Sequence, residues 1–345
     1  MHPITQTRKE IPWLHYLRVY ACLLVVALHA THISFDDEIG KTFHDWLLCV
    51  TRPCNCLFFM ISGALLLPYN CDDFILFYKK RVPRIIPPLI FWGIVYAVLP
   101  MFLYDESIKS ALYNIVWIPL TYPERVGGIL WYLYIYIGIL LFLPFLSSKI
   151  YSDKRMLNAF LGIWFFVSIM YIVKDFRPYL LGSNRYLHGF DMFVNFSGYI
   201  GYMFLGYRLC NTRRKGKTGY WILLTLLMIS AIYLLQLRFH RLPEAGYVYL
   251  LPTTIVLSTF VFLAFRSIPF RSTGRLYSLI KTISKLSFGI YLSHMVFFKT
   301  IVQHLVYQAS TSWFHQVYAI ALTFVLSLFF SFLVSKIPYN KYIIG

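Results

Sequence analysis

LRVYACLLVVALHA, residues 17–30, is an apolar run interrupted by an arginine and a histidine that fall on one side of a helix. Arg18 and His29 are eleven residues apart. At about 100° per residue that is about 1100°, within about 20° of three full turns, so the two side chains share a stripe. A rise of about 1.5 Å per residue separates them by roughly 16 Å along the axis. A cation near one membrane surface therefore stands below a titratable base set within the bilayer.

The surrounding chain has the composition that such a helix requires. Of 345 residues, 59% are hydrophobic, 19% aromatic and only 13% charged, a profile that excludes a soluble core and predicts an all-α polytopic membrane protein. Ten apolar stretches are long enough to span: roughly 13–33, 47–68, 85–104, 127–147, 156–173, 192–209, 220–237, 247–265, 286–305 and 316–334. With the N-terminus placed in the cytoplasm, the inner segments hold 22 of the 32 basic residues and four of the 14 acidic ones. The formal net charge of +18 then lies on one side. This positive-inside pattern predicts ten helices with both termini cytoplasmic. It ties the basic character to topology and anionic headgroups and gives no reason to expect nucleic acid.

The first run is too long for a cleavable signal and lacks a small-residue cleavage site, so it reads as a retained helix. No 20–50-residue period and no soluble module interrupts the chain, and residues 1–345 read as one membrane domain. The six cysteines show no metal-ligand spacing. Cys49, Cys54 and Cys56 fall near the outer end of the second span, where an oxidising compartment would allow a disulfide.

Three further constellations carry chemistry. Arg81 and Arg84 lie in FYKKRVPRIIPP, residues 77–88, where Pro83, Pro87 and Pro88 preclude a plain helix and four cations gather within six residues. Beyond a positive-inside anchor, this is a candidate phosphate clamp, because a guanidinium offers a planar fork matched to phosphate oxygens. Arg18 faces the same surface. A ligand with several phosphates fits between the two elements. His29 is the candidate base, since a neutral imidazole accepts a proton from a hydroxyl and makes it nucleophilic. His32, one turn further out, is a candidate substrate contact. In KLSFGIYLSH, residues 285–294, Ser287, Tyr291 and His294 fall at i, i+4 and i+7 on one helical stripe. Ser62 and Gly63 in FFMISG suit close helix approach, and Trp131 and Tyr132 in LWYLY offer an aromatic face for packing or substrate.

In order, these motifs resemble acyltransferase family 3, a family of integral membrane acyltransferases. The match consists of arginine, ten residues and histidine at Arg18 and His29; LFFMISG at 57–63; Arg-x-x-Arg at 81–84; LWYLY at 130–134; and SFGIYLSH at 287–294. Among members the chain looks most like the stand-alone enzymes of the enterobacterial common antigen O-acetyltransferase type. The resemblance implies a membrane O-acyltransferase of the bacterial cytoplasmic membrane. It would use acetyl-CoA as co-substrate, without a tightly bound cofactor or metal, and an envelope glycan as acceptor. On that carry-over Arg18, Arg81 and Arg84 would bind the nucleotide end of CoA or gate it, and His29 would be the essential base or acyl relay. Tyr291 and His294 match the late motif; His32, Trp131 and Tyr132 remain substrate-side candidates from the sequence pattern alone. Many relatives have a histidine two positions before the fourth-helix tryptophan; this chain has Ile129 there, so no acid–base or hydrogen-bonding chemistry is expected from that position. An exporter or flippase of a lipid-linked glycan would also use many helices and a buried histidine. It would have no use for a cytoplasmic polyphosphate clamp.

Overall fold

The computed structural model describes residues 10–30, 37–67, 74–146, 153–181, 198–212, 216–239, 248–307 and 312–345. The elements are α1 (Pro12–Ala30), α2 (Glu38–Thr51), α3 (Cys54–Leu66), α4 (Phe74–Arg81), α5 (Ile86–Tyr104), α6 (Ile108–Trp117), α7 (Glu124–Gly127), α8 (Trp131–Phe142), α9 (Lys154–Leu181), α10 (Ile200–Cys210), α11 (Thr218–Phe239), α12 (Pro252–Ser267), α13 (Arg275–Phe297), α14 (Gln303–Tyr307) and α15 (Trp313–Val334). No strand occurs among the described residues.

Among the described residues six helical segments are long and apolar enough to cross a membrane: Pro12–Ala30, Glu38–Leu66, Ile75–Tyr104, Arg125–Phe145, Thr218–Arg238 and Trp313–Val334. The remaining expected spans coincide with helices that are shorter or more polar, namely α9, α10, α12 and α13. The chain is a multi-pass helical membrane protein.

Local sequence sets the breaks. Asp37 caps α2 by accepting from the Gly40 amide at 2.7 Å. Pro53, which has no N–H to donate, separates α2 from α3. The prolines after Arg81 act as expected. Val82–Arg84 is a tight 3-10 turn, and α5 opens with Pro87 and Pro88 in its first turn, where a missing N–H costs nothing.

α1 lies at the centre, packed against α2, α3, α12, α13 and α15. α3 and α10 approach backbone to backbone: a Cβ built at Gly63 would lie 1.9 Å from the Met203 carbonyl oxygen, and one at Gly206 would lie 2.1 Å from that of Met60. Only glycine permits this reciprocal backbone contact. Cys49, Cys54 and Cys56 are buried free thiols; Cys49 donates to Gln236 Oε1 and Cys56 to the Tyr249 carbonyl.

Candidate active site

α1 and α13 run side by side in the same direction. The Cys22 thiol reaches the Ser287 carbonyl at 3.6 Å, and seven residues further along both helices His29 Nδ1 meets His294 Nε2 at 3.1 Å. Seven residues are about two turns, so one stripe of α1 faces one stripe of α13 in constant register. Cys22, Val26, Leu286 and Ile290 fill the seam beneath the histidines.

Backbone carbonyls fix the tautomers of the pair. His294 Nδ1 lies 2.6 Å from the Tyr291 carbonyl, which can only accept, so Nδ1 carries the proton. His294 Nε2 is then an acceptor. His29 Nδ1 lies 2.9 Å from the Val25 carbonyl and must also carry its proton, which it shares with His294 Nε2. In neutral His29 this puts the lone pair on Nε2. His294 is fully buried and His29 partly buried, so the inner imidazole holds the outer one.

Neighbouring elements immobilise both ends. The Tyr307 hydroxyl donates to the Ala30 carbonyl at 3.1 Å, satisfying an end carbonyl of α1 immediately after His29. Tyr96 of α5 donates to the Leu292 carbonyl at 2.6 Å and braces α13. Just beyond His294 the chain makes a π-helical turn, Phe298–Val302, whose first N–H reaches the His294 and Met295 carbonyls. Such turns recur at functional sites because they re-aim the adjacent side chains.

Tyr291 donates its hydroxyl proton to the carbonyl of Ile129, in the turn before α8. The expectation that position 129 makes no hydrogen bond is therefore corrected. The isoleucine side chain offers none, but its main-chain carbonyl anchors Tyr291. Tyr132 packs edge-on to Tyr291 at 5.8 Å and against Phe59 at 4.6 Å. Trp131 stacks on Tyr249 at 5.3 Å.

The partly buried Arg18 acts electrostatically on Tyr132 and on His15. Arg81 lies over the Phe77 ring at 5.7 Å, and Arg84 is exposed on the turn that packs against Asn340–Tyr342. His32 lies outside the described residues. The structure thus gathers His29, His294, Tyr291 and Tyr132, with Trp131 on an adjoining aromatic stack and Arg81 and Arg84 on the turn before α5.

The model of the acyltransferase domain of family 3 matches residues 11–336. The chain belongs to acyltransferase family 3. No curated protein and no solved structure matches it. Family membership makes the protein a membrane acyltransferase and places the histidine pair within the matched domain. Sequence reading passed over Tyr96, Tyr249 and Tyr307. For Tyr96 a signal existed, because it is a hydroxyl deep in an otherwise apolar run, where an unpaired polar group is costly.

Proposed function

We propose that this family 3 acyltransferase moves acetyl from cytoplasmic acetyl-CoA to a hydroxyl of an envelope polysaccharide or lipid-linked glycan, across the bacterial cytoplasmic membrane. The observation that carries this reading is the hydrogen-bonded His29–His294 pair at one end of the helix that bears Arg18. Arg18, Arg81 and Arg84 hold the donor phosphates in water, while the extended arm of CoA runs along α1 and presents its thioester beside His29. The acceptor hydroxyl gives its proton to His29 Nε2 as its oxygen forms the new ester bond at the thioester carbonyl. The carbon–sulfur bond breaks, and the departing thiolate takes the proton back from the imidazolium. His294 spreads the positive charge through the shared Nδ1 proton and holds the ring angle. Tyr291 positions the late motif, since its own proton is committed to Ile129. Trp131 and Tyr132 give the sugar a stacking face. His32, three residues after His29 in the sequence, is our further candidate for an acceptor contact. The likeness to the enterobacterial common antigen O-acetyltransferase type favours a glycan acceptor.

The test is label transfer from radiolabelled acetyl-CoA to envelope glycan in membranes carrying wild-type protein or His29→Ala at matched abundance. The expected result is alkali-labile label that depends on His29. Label equal to that of membranes lacking the protein, with acetyl-CoA and other acyl-CoAs alike and with acceptor supplied, would overturn the reading.

A further inference from the structure

Arg52 sits in the break between α2 and α3, just before the start of α3, the end of that helix where the charge pattern predicts the outer surface. The positive-inside rule therefore does not account for it. Its Nε is sealed from solvent and has no acceptor. The guanidinium interacts with the Cys49 thiol and acts electrostatically on the Tyr249 hydroxyl. Asp45 acts on the same thiol from one turn back, and among the described residues no carboxylate is in direct ion-pair contact with the guanidinium.

The surroundings point to what would pair with it. Tyr249, beside Arg52, is hydrogen-bonded to Asn55 and stacks on Trp131 with the rings inclined by 27°. Cys54 acts electrostatically on both Tyr249 and Tyr291, and the Tyr291 carbonyl holds His294. Arg52 is thus joined through one aromatic stack to the residues that flank the histidine pair. An aromatic face next to a fork of N–H donors matches a ring that carries an oxyanion.

We propose that Arg52 forms an anion subsite of the acceptor pocket, taking a carboxylate or phosphate group of the acyl acceptor while the neighbouring ring lies against Trp131 and Tyr249. This rests on the reading that a hydroxylated glycan is the acceptor and narrows it to an acidic one. A neutral glycan would leave Arg52 without a direct ion-pair partner among the described residues.

The experiment uses the full chain in lipid nanodiscs and compares sodium phosphate and sodium acetate with sodium chloride at equal ionic strength. The thermal midpoints of wild type, Arg52→Gln and Arg52→Lys are measured, with acetyl-CoA binding as a parallel arm. At about ten times the dissociation constant, a bound anion raises the wild-type midpoint by about 2 °C over chloride. This increment disappears in Arg52→Gln and falls by at least half in Arg52→Lys, which keeps the charge but loses the fork. General salt effects and anions held at Arg18, Arg81 or Arg84 persist in the variants and cancel in the difference. A larger response to phosphate indicates a phosphorylated acceptor; a larger response to acetate indicates a sugar acid. If Arg52→Gln does not fold, Arg52→Lys carries the comparison. No increment in wild type, or an increment unchanged in the variants, overturns the subsite. Loss of acetyl-CoA binding by wild type with the Arg52-dependent increment retained would instead count against the acyl-CoA reading.

Discussion

His29 and His294 are both imidazoles held by helical carbonyls, yet their places in the relay differ, and substitutions at each should separate those roles. His294 is fully buried, with Nδ1 committed to Tyr291 and Nε2 to His29. In His29 the lone pair stands on Nε2. Replacing His29 by alanine is expected to lower acetyl transfer by about 10²–10⁴-fold, the range for loss of a general base. His294→Gln leaves the base in place but alters its alignment, so kcat should fall by about 10²-fold, as for a reacting group displaced by about an ångström, with KM for acetyl-CoA unchanged. Steady-state kinetics of the two variants test the division, and a raised KM in His294→Gln would show a role in donor binding instead. Tyr291→Phe should cost about 1–3 kcal/mol of stability, because the buried Ile129 carbonyl loses its donor; a thermal midpoint equal to wild type would refute that. The Arg18–His29 stripe was legible because helical spacing is local and depends on one segment. The partnership of His29 with His294, 265 residues away, was not legible, since nothing in either helix specifies which helix packs beside it. Ile129 misled for a related reason: its contribution is a main-chain carbonyl, which every residue has.

At the scale of elements, the α3–α10 contact is set by two glycines, and its failure should be abrupt. Gly63→Ala and Gly206→Ala each drive a methyl group into a backbone carbonyl that cannot rotate away. We expect a loss of at least about 1–3 kcal/mol for either, read as a lower thermal midpoint in nanodiscs. Gly138→Ala, where an added Cβ meets nothing within 4 Å, should be neutral or slightly stabilising, because alanine is the better helix former. Equal effects at all three positions would refute the close-packing account. The base of α1 is tied to α13 through Glu10, which accepts from Lys281 at 2.8 Å and meets His15 at 2.9 Å. The Lys281 hydrogen bond holds the Glu10 carboxyl down to about 2, well below its ordinary value of 4.5. A folded-state value below the unfolded one means that the stabilisation is present above about pH 4.5 and is lost as pH falls towards 2. Glu10→Gln should therefore flatten the fall in thermal midpoint between pH 5 and pH 2 and change nothing between pH 6 and pH 8. A variant whose acid limb matches wild type would show that this contact adds nothing. FFMISG announced the small-residue approach through Gly63, whereas Gly206 was overlooked, because a glycine's partner becomes visible only when a second backbone is brought against it.

Across the whole molecule, the parallel course of α1 and α13 constrains the topology. Helices that run the same way through a bilayer start on the same side, so an even number of crossings separates the start of α1 from the start of α13. Ten spans with both termini in the cytoplasm satisfy that condition, since α1 and α13 correspond to the first and ninth stretches read from hydropathy. The apolar runs and the charge asymmetry were legible because bilayer insertion acts on each segment's own composition. The shorter and more polar helices, α10 and α13 above all, were harder to delimit. Their polar residues are tolerated through burial against other helices, as with Ser293 and His294 within α13. Single cysteines introduced into a chain whose six native cysteines are replaced test the arrangement. Lys217→Cys and Ser272→Cys, both exposed and both preceding a helix assigned to the inner surface, should react with a membrane-impermeant maleimide only after the membrane is opened. Lys109→Cys, exposed on α6 beyond the outer end of α5, should react in sealed cells. Labelling of Ser272→Cys and Lys109→Cys from the same side would be incompatible with His29 and His294 meeting near the outer surface. It would also place the donor and acceptor of the proposed reaction in the same compartment.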